Sequence, residues 1–162
     1  MSTLSLSITV SGVPETTTYN NITALKTYLN SVKAGLTEAT ISGELAENSD
    51  FSYLFANSPI LTTIDLTELI THDYITNLSH FLYNCPSLLS IKVSNVDGNF
   101  STANVTDMSW AFAWNVATKN AKQLIDHFIA TSSTVTSEFY IPPDYPFYYV
   151  QAPALVKYAL IR

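Results

Sequence analysis

The chain opens with an alternation of apolar and polar positions, which predicts a β-strand ended by Gly12 and Pro14. The apolar members of this strand are Leu4, Leu6, Ile8 and Val10. The next segment instead places apolar side chains on one face of a helix that ends at Gly35. The apolar members of that helix are Ile22, Leu25, Leu29 and Val32. We interpret residues 1–37 as an N-terminal strand–helix cap.

The middle of the chain repeats itself. Ser49–Leu66 can be aligned with Thr76–Val93 at an offset of 27 residues, and a third, partial copy, Thr106–Asn115, follows at an offset of 30. The identical pairs in the first two copies are Ser52/Ser79, Asn57/Asn84, Pro59/Pro86, Leu61/Leu88 and Ile64/Ile91. Self-similarity with a period in this range is typical of repeat architectures.

Each copy has the pattern of a short helix followed by a short strand. A small polar residue that can cap a helix comes first (Asp50, Asn77 or Asp107). Apolar residues then follow at i, i+3 and i+4, namely Phe51/Leu54/Phe55, Leu78/Phe81/Leu82 and Met108/Ala111/Phe112. In the two complete copies an Asn and a Pro end this pattern, and the alternation in "TTIDL" and "LSIKV" predicts a strand.

These units predict a single α+β domain, a short solenoid of helix–strand repeats with a capping element at each end. One unit cannot bury its own apolar face, so successive units would stack and share a core. The repeats occupy residues 38–116 in this interpretation, including a degenerate first strand around Ile41. Residues 117–162 supply a C-terminal helix, a strand and a Tyr-rich segment.

The repeat motifs "NVTDMSWAF" (Asn104–Phe112) and "NCPSLLSI" (Asn84–Ile91) resemble those of the BspA-like leucine-rich repeat proteins of bacterial surfaces and some phages. The resemblance covers about Ser49 to Asn115, and fewer copies are present than family members usually carry. It implies a binding or adhesion protein with no shared catalytic residues. Family members are usually exported, whereas the start of this chain does not predict a signal peptide.

The repeat alignment also bears on the one cysteine and its neighbouring histidine. Cys85 is at the position of Ser58 in the preceding copy, which favours a small buried structural residue over a catalytic thiol. His80 is at the position of Tyr53 and Trp110, which favours packing at the surface or edge of the repeats. A reactive Cys–His pair is the alternative interpretation.

Composition narrows the function. Of the 162 residues, 47% are hydrophobic and only 12% are charged, with a formal net charge of −6. The few basic residues are scattered, which argues against nucleic-acid binding. No apolar run is long enough to predict insertion into a membrane. We find no phosphate-binding loop, metal-ligand motif or nucleophile motif, and we therefore expect no cofactor, no metal and no catalytic residues.

Aromatic residues are the candidate interface residues. They combine large contact areas with polar tips, and the C-terminal ones either cap the repeats or form an interface. The set consists of Trp110, Trp114, Tyr140, Tyr145, Phe147, Tyr148, Tyr149 and Tyr158.

The sequence leaves three functional hypotheses. The first is a virion-associated protein, such as a phage head or tail decoration or a fibre-base component, which acts in a homo-oligomer or larger assembly. The second is a bacterial cell-surface adhesin, for which a carbohydrate or a host receptor is a candidate partner. The third is an enzyme with an unrecognised site, for which no positive feature is present.

Overall fold

A computed structural model of the chain describes residues 3–93, 100–101, 104–107 and 110–111. In these ranges it contains one α-helix, α1 (Ile22–Val32). The strands are β1 (Leu4–Val10), β2 (Val13–Tyr19), β3 (Leu36–Glu44), β4 (Ser49–Asp50), β5 (Thr63–Leu66), β6 (Leu69–Ile70), β7 (Ile75–Asn77) and β8 (Ser90–Val93).

Most of these strands form one mixed, six-stranded sheet. Its order is β2-β1-β3-β5-β8, with β6 also paired to β3. β1 is antiparallel to both β2 and β3, whereas β3, β5 and β8 are parallel to one another. Ile64 of β5 pairs with Ala39 on one side and Ile91 on the other. Equivalent positions of the two complete repeats therefore lie side by side.

The N-terminal strand and helix form where the sequence predicts them. The apolar side chains of β1 are buried from Leu4 to Ile8, and α1 buries the face formed by Ile22, Leu25 and Leu29. Asn21 caps α1, because its side-chain oxygen accepts a hydrogen bond from the N–H of Ala24 at 2.9 Å. β2 is an additional strand that the sequence analysis did not predict.

The prediction of a helix–strand solenoid is wrong. The described residues are mostly β-sheet, and α1, which precedes the repeats, is their one helix. Residues 50–57 and 77–84, which we call the turn segments, were predicted to be helical but consist of short strands and successive tight turns. Tyr53 and Asn57 have positive φ angles of 58° and 59°, which a right-handed helix does not permit.

Main-chain hydrogen bonds explain why the turn segments are not helical. In the first segment, Tyr53 N–H donates to the Ser79 carbonyl at 3.0 Å and Phe55 N–H donates to the Phe81 carbonyl at 3.1 Å. The intervening Leu54 N–H donates to the Phe51 carbonyl three residues back. An α-helix instead needs each N–H to bond four residues back within one segment. Here every second N–H bonds to the next copy.

The apolar positions of the repeats nevertheless form the core. Phe51, Phe81 and Phe100 are fully buried, and their rings contact one another with centroids 5.9–6.4 Å apart. Phe55 packs edge-on against Phe81. The i, i+3, i+4 spacing therefore identifies the correct buried side chains although the backbone that presents them is not a helix.

Gly43 in β3 provides a test of how closely β3 and the N-terminal segment approach each other. Its φ is +110°, and an added Cβ would overlap the backbone carbonyl of Thr3. We expect Gly43→Ala to lower the free energy of unfolding by about 3 kcal/mol, from backbone strain and overpacking together. Gly12→Ala is the control, because φ there is +82° with no atom within 4 Å of an added Cβ. It should cost about 1 kcal/mol in denaturant unfolding, and equal losses would contradict the predicted overlap.

Candidate interaction surface

Three aromatic rings from equivalent positions of the repeat lie against one another on the outside of the molecule. The ring centroids of Tyr53 and His80 are 4.4 Å apart, with 7° between the ring planes. His80 and Trp110 are 6.4 Å apart, with 18° between planes. We call Tyr53, His80 and Trp110 the aromatic surface. His80 is thus packed between its two counterparts.

The turn geometry is what places these rings in register. Tyr53, His80 and Trp110 all have φ angles between 54° and 58°. This left-handed conformation is uncommon for residues other than glycine. Because the same turn recurs in each copy and the copies are hydrogen bonded to one another, the three side chains leave the backbone in the same direction.

The aromatic surface is accessible yet held in place. Tyr53 and Trp110 each remain 46% exposed. The ring of Tyr83 packs edge-on against His80 at 5.1 Å and against Trp110 at 6.5 Å. Such offset and edge-to-face contacts are the preferred geometries of aromatic pairs. The rings therefore form a preorganised patch.

An asparagine pair repeats the same arrangement four residues further along each turn segment. Asn84 Nδ2 donates to Asn57 Oδ1 at 3.0 Å, and the two residues have φ angles of 55° and 59°. Asparagine tolerates this left-handed conformation better than most residues do. The pair links adjacent copies through their side chains at the end of the turn segments.

The surroundings of His80 favour its neutral form over its charged form. Burial lowers the pKa of its imidazole, and the nearby carboxylate of Asp107 opposes this effect. Its Nδ1 is buried and has no hydrogen-bond partner within the described ranges. A proton on Nδ1 would bury an unpaired N–H, so the stacked ring is favoured without charge.

Cys85 is part of the core. The side chain is fully buried, and its Sγ lies 3.1 Å from the carbonyl oxygen of Phe55. Ser58 uses its hydroxyl to donate to the same carbonyl at 2.8 Å. Burial raises the pKa of the Cys85 thiol to about 11. The structure thus buries this residue, as the repeat alignment predicts.

The solvent-facing side of the main sheet is covered by hydroxyl groups. Cross-strand register aligns Ser7 with Thr16 on β2 and with Thr40 on β3, and Ser7 Oγ and Thr16 Oγ1 lie 2.9 Å apart. The other hydroxyl-bearing residues of this face are Ser5, Thr9, Thr18, Ser42, Thr63 and Ser90. Glu38, Asp65 and Lys92 are its charged members. The face is therefore polar with little charge.

The described part of the chain has few metal-ligating or charged side chains that face a common site. It contains no group of three or more His, Cys, Asp or Glu side chains placed to hold a metal ion. A depression of about 210 Å³ lies near the start of α1, and Glu47 is the one charged residue among its described lining residues. In the same ranges, no helix has the length and apolar character needed to cross a membrane.

Of the predicted interface residues, one lies within the described ranges and the others lie outside them. Trp110 lies in the aromatic surface. The other members of the predicted set lie outside the described residues: Trp114, Tyr140, Tyr145, Phe147, Tyr148, Tyr149 and Tyr158. Tyr53 was not predicted as an interface residue, although its alignment with His80 and Trp110 was the signal that could have identified it.

Comparison with known proteins adds no further assignment. No family model matches the chain, and no curated protein or solved structure matches it. The resemblance to BspA-like repeats therefore stays a prediction.

The lowered pKa of His80 predicts a pH effect on stability. The pKa of His80 is lower in the folded chain than in the unfolded chain, so the unfolded state binds more protons below about pH 6.5. The stabilising contribution of neutral His80 is full above that pH and is lost as pH falls through the folded-state pKa. We expect His80→Phe, which keeps a flat ring, to lose less stability than wild type between about pH 8 and pH 5. A constant difference between the two unfolding free energies would contradict this.

Burial of Cys85 predicts an inert thiol. We expect no reaction with an aromatic disulfide reagent at pH 8 under native conditions and stoichiometric reaction in denaturant, because thiolate is the reactive form. Cys85→Ala should lower the free energy of unfolding by about 1 kcal/mol and leave self-association intact. Rapid labelling of the native protein would instead indicate an accessible, reactive site.

Proposed function

We propose that this protein is a non-enzymatic module that works by protein–protein contact within a larger assembly, and that the aromatic surface is one of its contacts. The observation that carries the proposal is the exposed stack of Tyr53, His80 and Trp110. A virion, as part of a head, tail or fibre base, is the setting we propose for this assembly.

Energetics favour the aromatic surface as a contact. Burial of apolar area contributes about 25 cal/mol per Å², and aromatic rings offer large areas per side chain. The neighbouring rings already restrict these side chains, so less conformational entropy remains to be lost on association. Tyr and Trp are also the side chains most enriched among residues that dominate binding energy.

The rest of the described surface supports a permanent assembly more than a catalytic role. The sheet face carries neutral hydroxyl groups, and its Lys92 amino group lies 3.9 Å from the Asp65 carboxylate. The His72 and Glu44 side chains pair at 2.6 Å and are both exposed, and the His72 ring also packs edge-on against Tyr74. The resemblance of the repeats to BspA-like proteins, which bind and adhere, points in the same direction.

Native mass measured across a wide concentration range tests the proposal. We expect light scattering to give masses above the 17.9 kDa of the chain, increasing with concentration. Tyr53→Asn and Trp110→Asn should weaken this assembly about tenfold or more, since each removes an exposed ring. Asn is chosen because it accepts the left-handed backbone found at both positions.

The matched control is Leu89→Asn, which removes an exposed apolar side chain (62% exposed) just before β8. It should leave the mass distribution unchanged. A 17.9 kDa monomer at every concentration would overturn the assembly role. Equal effects of all three substitutions would show that general hydrophobicity, rather than the aromatic surface, drives association.

A further inference from the structure

Among the described strands, β2 lies at an edge of the main sheet and has main-chain groups without a partner. Within the described ranges it pairs with β1 alone. Val10 and Val13 flank a two-residue turn whose members, Ser11 and Gly12, have φ angles of 51° and 82°. The pair that closes such a turn is hydrogen bonded, and bonded and non-bonded pairs then alternate along the strands.

This alternation determines which groups face outward. Glu15, Thr17 and Tyr19 direct their N–H and C=O groups toward β1, because they lie an even number of residues from Val13. Thr16 and Thr18 direct theirs away from the sheet, and no hydrogen bond to these main-chain groups is formed within the described structure. The N–H that Pro14 lacks would also have pointed outward, so proline is tolerated there.

Most features that normally protect an edge strand are missing from β2. Natural edges are blocked by charged side chains, bulges, short length or proline. β2 is seven residues long, and its register with β1 has no irregularity. Its one charged residue, Glu15, accepts a hydrogen bond from the Tyr28 hydroxyl on α1 and so is directed toward the helix. Pro14 lies near the beginning of the strand and leaves Thr16–Thr18 open.

We propose that β2 pairs antiparallel with β2 of a second copy of this chain, around a two-fold axis at Thr17. In this register Thr16 of each copy lies opposite Thr18 of the other, and all outward N–H and C=O groups of these two residues are used. The contact is isologous and continues the main sheet from one copy into the other. Threonine favours strands, and Thr–Thr cross-strand pairs contribute to sheet stability.

The position of Pro14 selects this register over its neighbour. An axis at Thr16 would place Pro14 opposite Thr18 and leave the Thr18 carbonyl without a donor, since proline has no N–H. With the axis at Thr17, Glu15 faces Tyr19 of the other copy, so like charges do not meet. The repulsion that usually limits pairing of identical strands is therefore avoided.

The proposal rests on the assembly role above, but it concerns a different surface. β2 forms one edge of the main sheet as far as the chain is described, whereas the aromatic surface belongs to the turn segments. Two distinct contacts on one chain would allow growth beyond a dimer. Their tests can therefore be separated.

Disulfide trapping of Thr17→Cys in the full chain tests the register. In a non-hydrogen-bonded antiparallel pair the two Cα atoms lie about 4.5 Å apart, within the range that a disulfide spans. We expect mild oxidation to give covalent dimers several times faster than for Thr40→Cys, an exposed position in the central strand β3. The native Cys85 is buried and should not compete. Equal rates for the two variants would overturn the proposed pairing.

A second pair of variants separates main-chain from side-chain effects. Thr16→Pro removes an outward N–H without breaking a main-chain bond to β1, and should weaken dimerisation about tenfold or more. Its monomer should melt close to that of Thr16→Ala, because both variants lose the same hydroxyl contact with Ser7 on β1. Thr16→Ala keeps that N–H and should change dimerisation by less than about threefold. Similar dimerisation by both variants would refute pairing through the strand edge.

The outcomes distinguish this proposal from the proposed function. If wild type stays a monomer at every concentration, both are wrong. If wild type assembles but Thr17→Cys is not trapped and Thr16→Pro associates normally, the edge pairing alone is wrong. If Thr17→Cys dimers still form when Tyr53→Asn or Trp110→Asn is added, the two contacts are independent, as we expect.

Discussion

The described fold depends on main-chain hydrogen bonds between residues nearly one full repeat apart. Phe51, Tyr53, Phe55 and Asn57 each donate to a carbonyl 26 residues further along, at 2.8–3.1 Å. Buried main-chain groups must be paired, and no local pattern in the turn segments could pair them all. Adjacent copies therefore satisfy each other, and the parallel pairing of β5 with β8 follows from the same offset.

These bonds also explain why unfavourable backbone conformations persist in the turn segments. Left-handed φ angles at residues other than glycine cost about 1–2 kcal/mol each. Tyr53, His80 and Trp110 adopt them at equivalent positions. Such strain persists only where surrounding interactions determine the conformation. Here the hydrogen bonds between copies and the ring stacking supply those interactions. The backbone strain and the aromatic surface therefore both result from the same repeated turn.

The sequence patterns correctly predicted those features that depend on interactions between residues close together in the chain. The alternation of β1 and the helical face of α1 are fulfilled, as are the buried apolar positions of the repeats. The predicted repeat helices failed because a tight turn closed by the Leu54 N–H and the Phe51 carbonyl buries Phe51, Leu54 and Phe55 at helix-like spacing without a helical backbone. The decisive partners of their N–H groups lie a whole repeat away. β2 was missed because its Thr-rich sequence has no apolar alternation, since neither side of this strand is fully buried.

Three regions of the described surface differ in their capacity for binding. Exposed hydroxyl groups such as those on the sheet face exchange hydrogen bonds with water for hydrogen bonds with a partner, so each such bond yields a small net gain. The ring carbons of the aromatic surface form no such hydrogen bonds, so their removal from water is favourable. The rings are already held in place, so little conformational entropy is lost when they are buried. The edge of β2 has an intermediate capacity for binding, because its main-chain hydrogen bonds fix the direction and register of a partner strand more than they add affinity. We therefore expect the turn segments to supply most of the binding affinity. The edge of β2 would fix how the copies are oriented relative to one another.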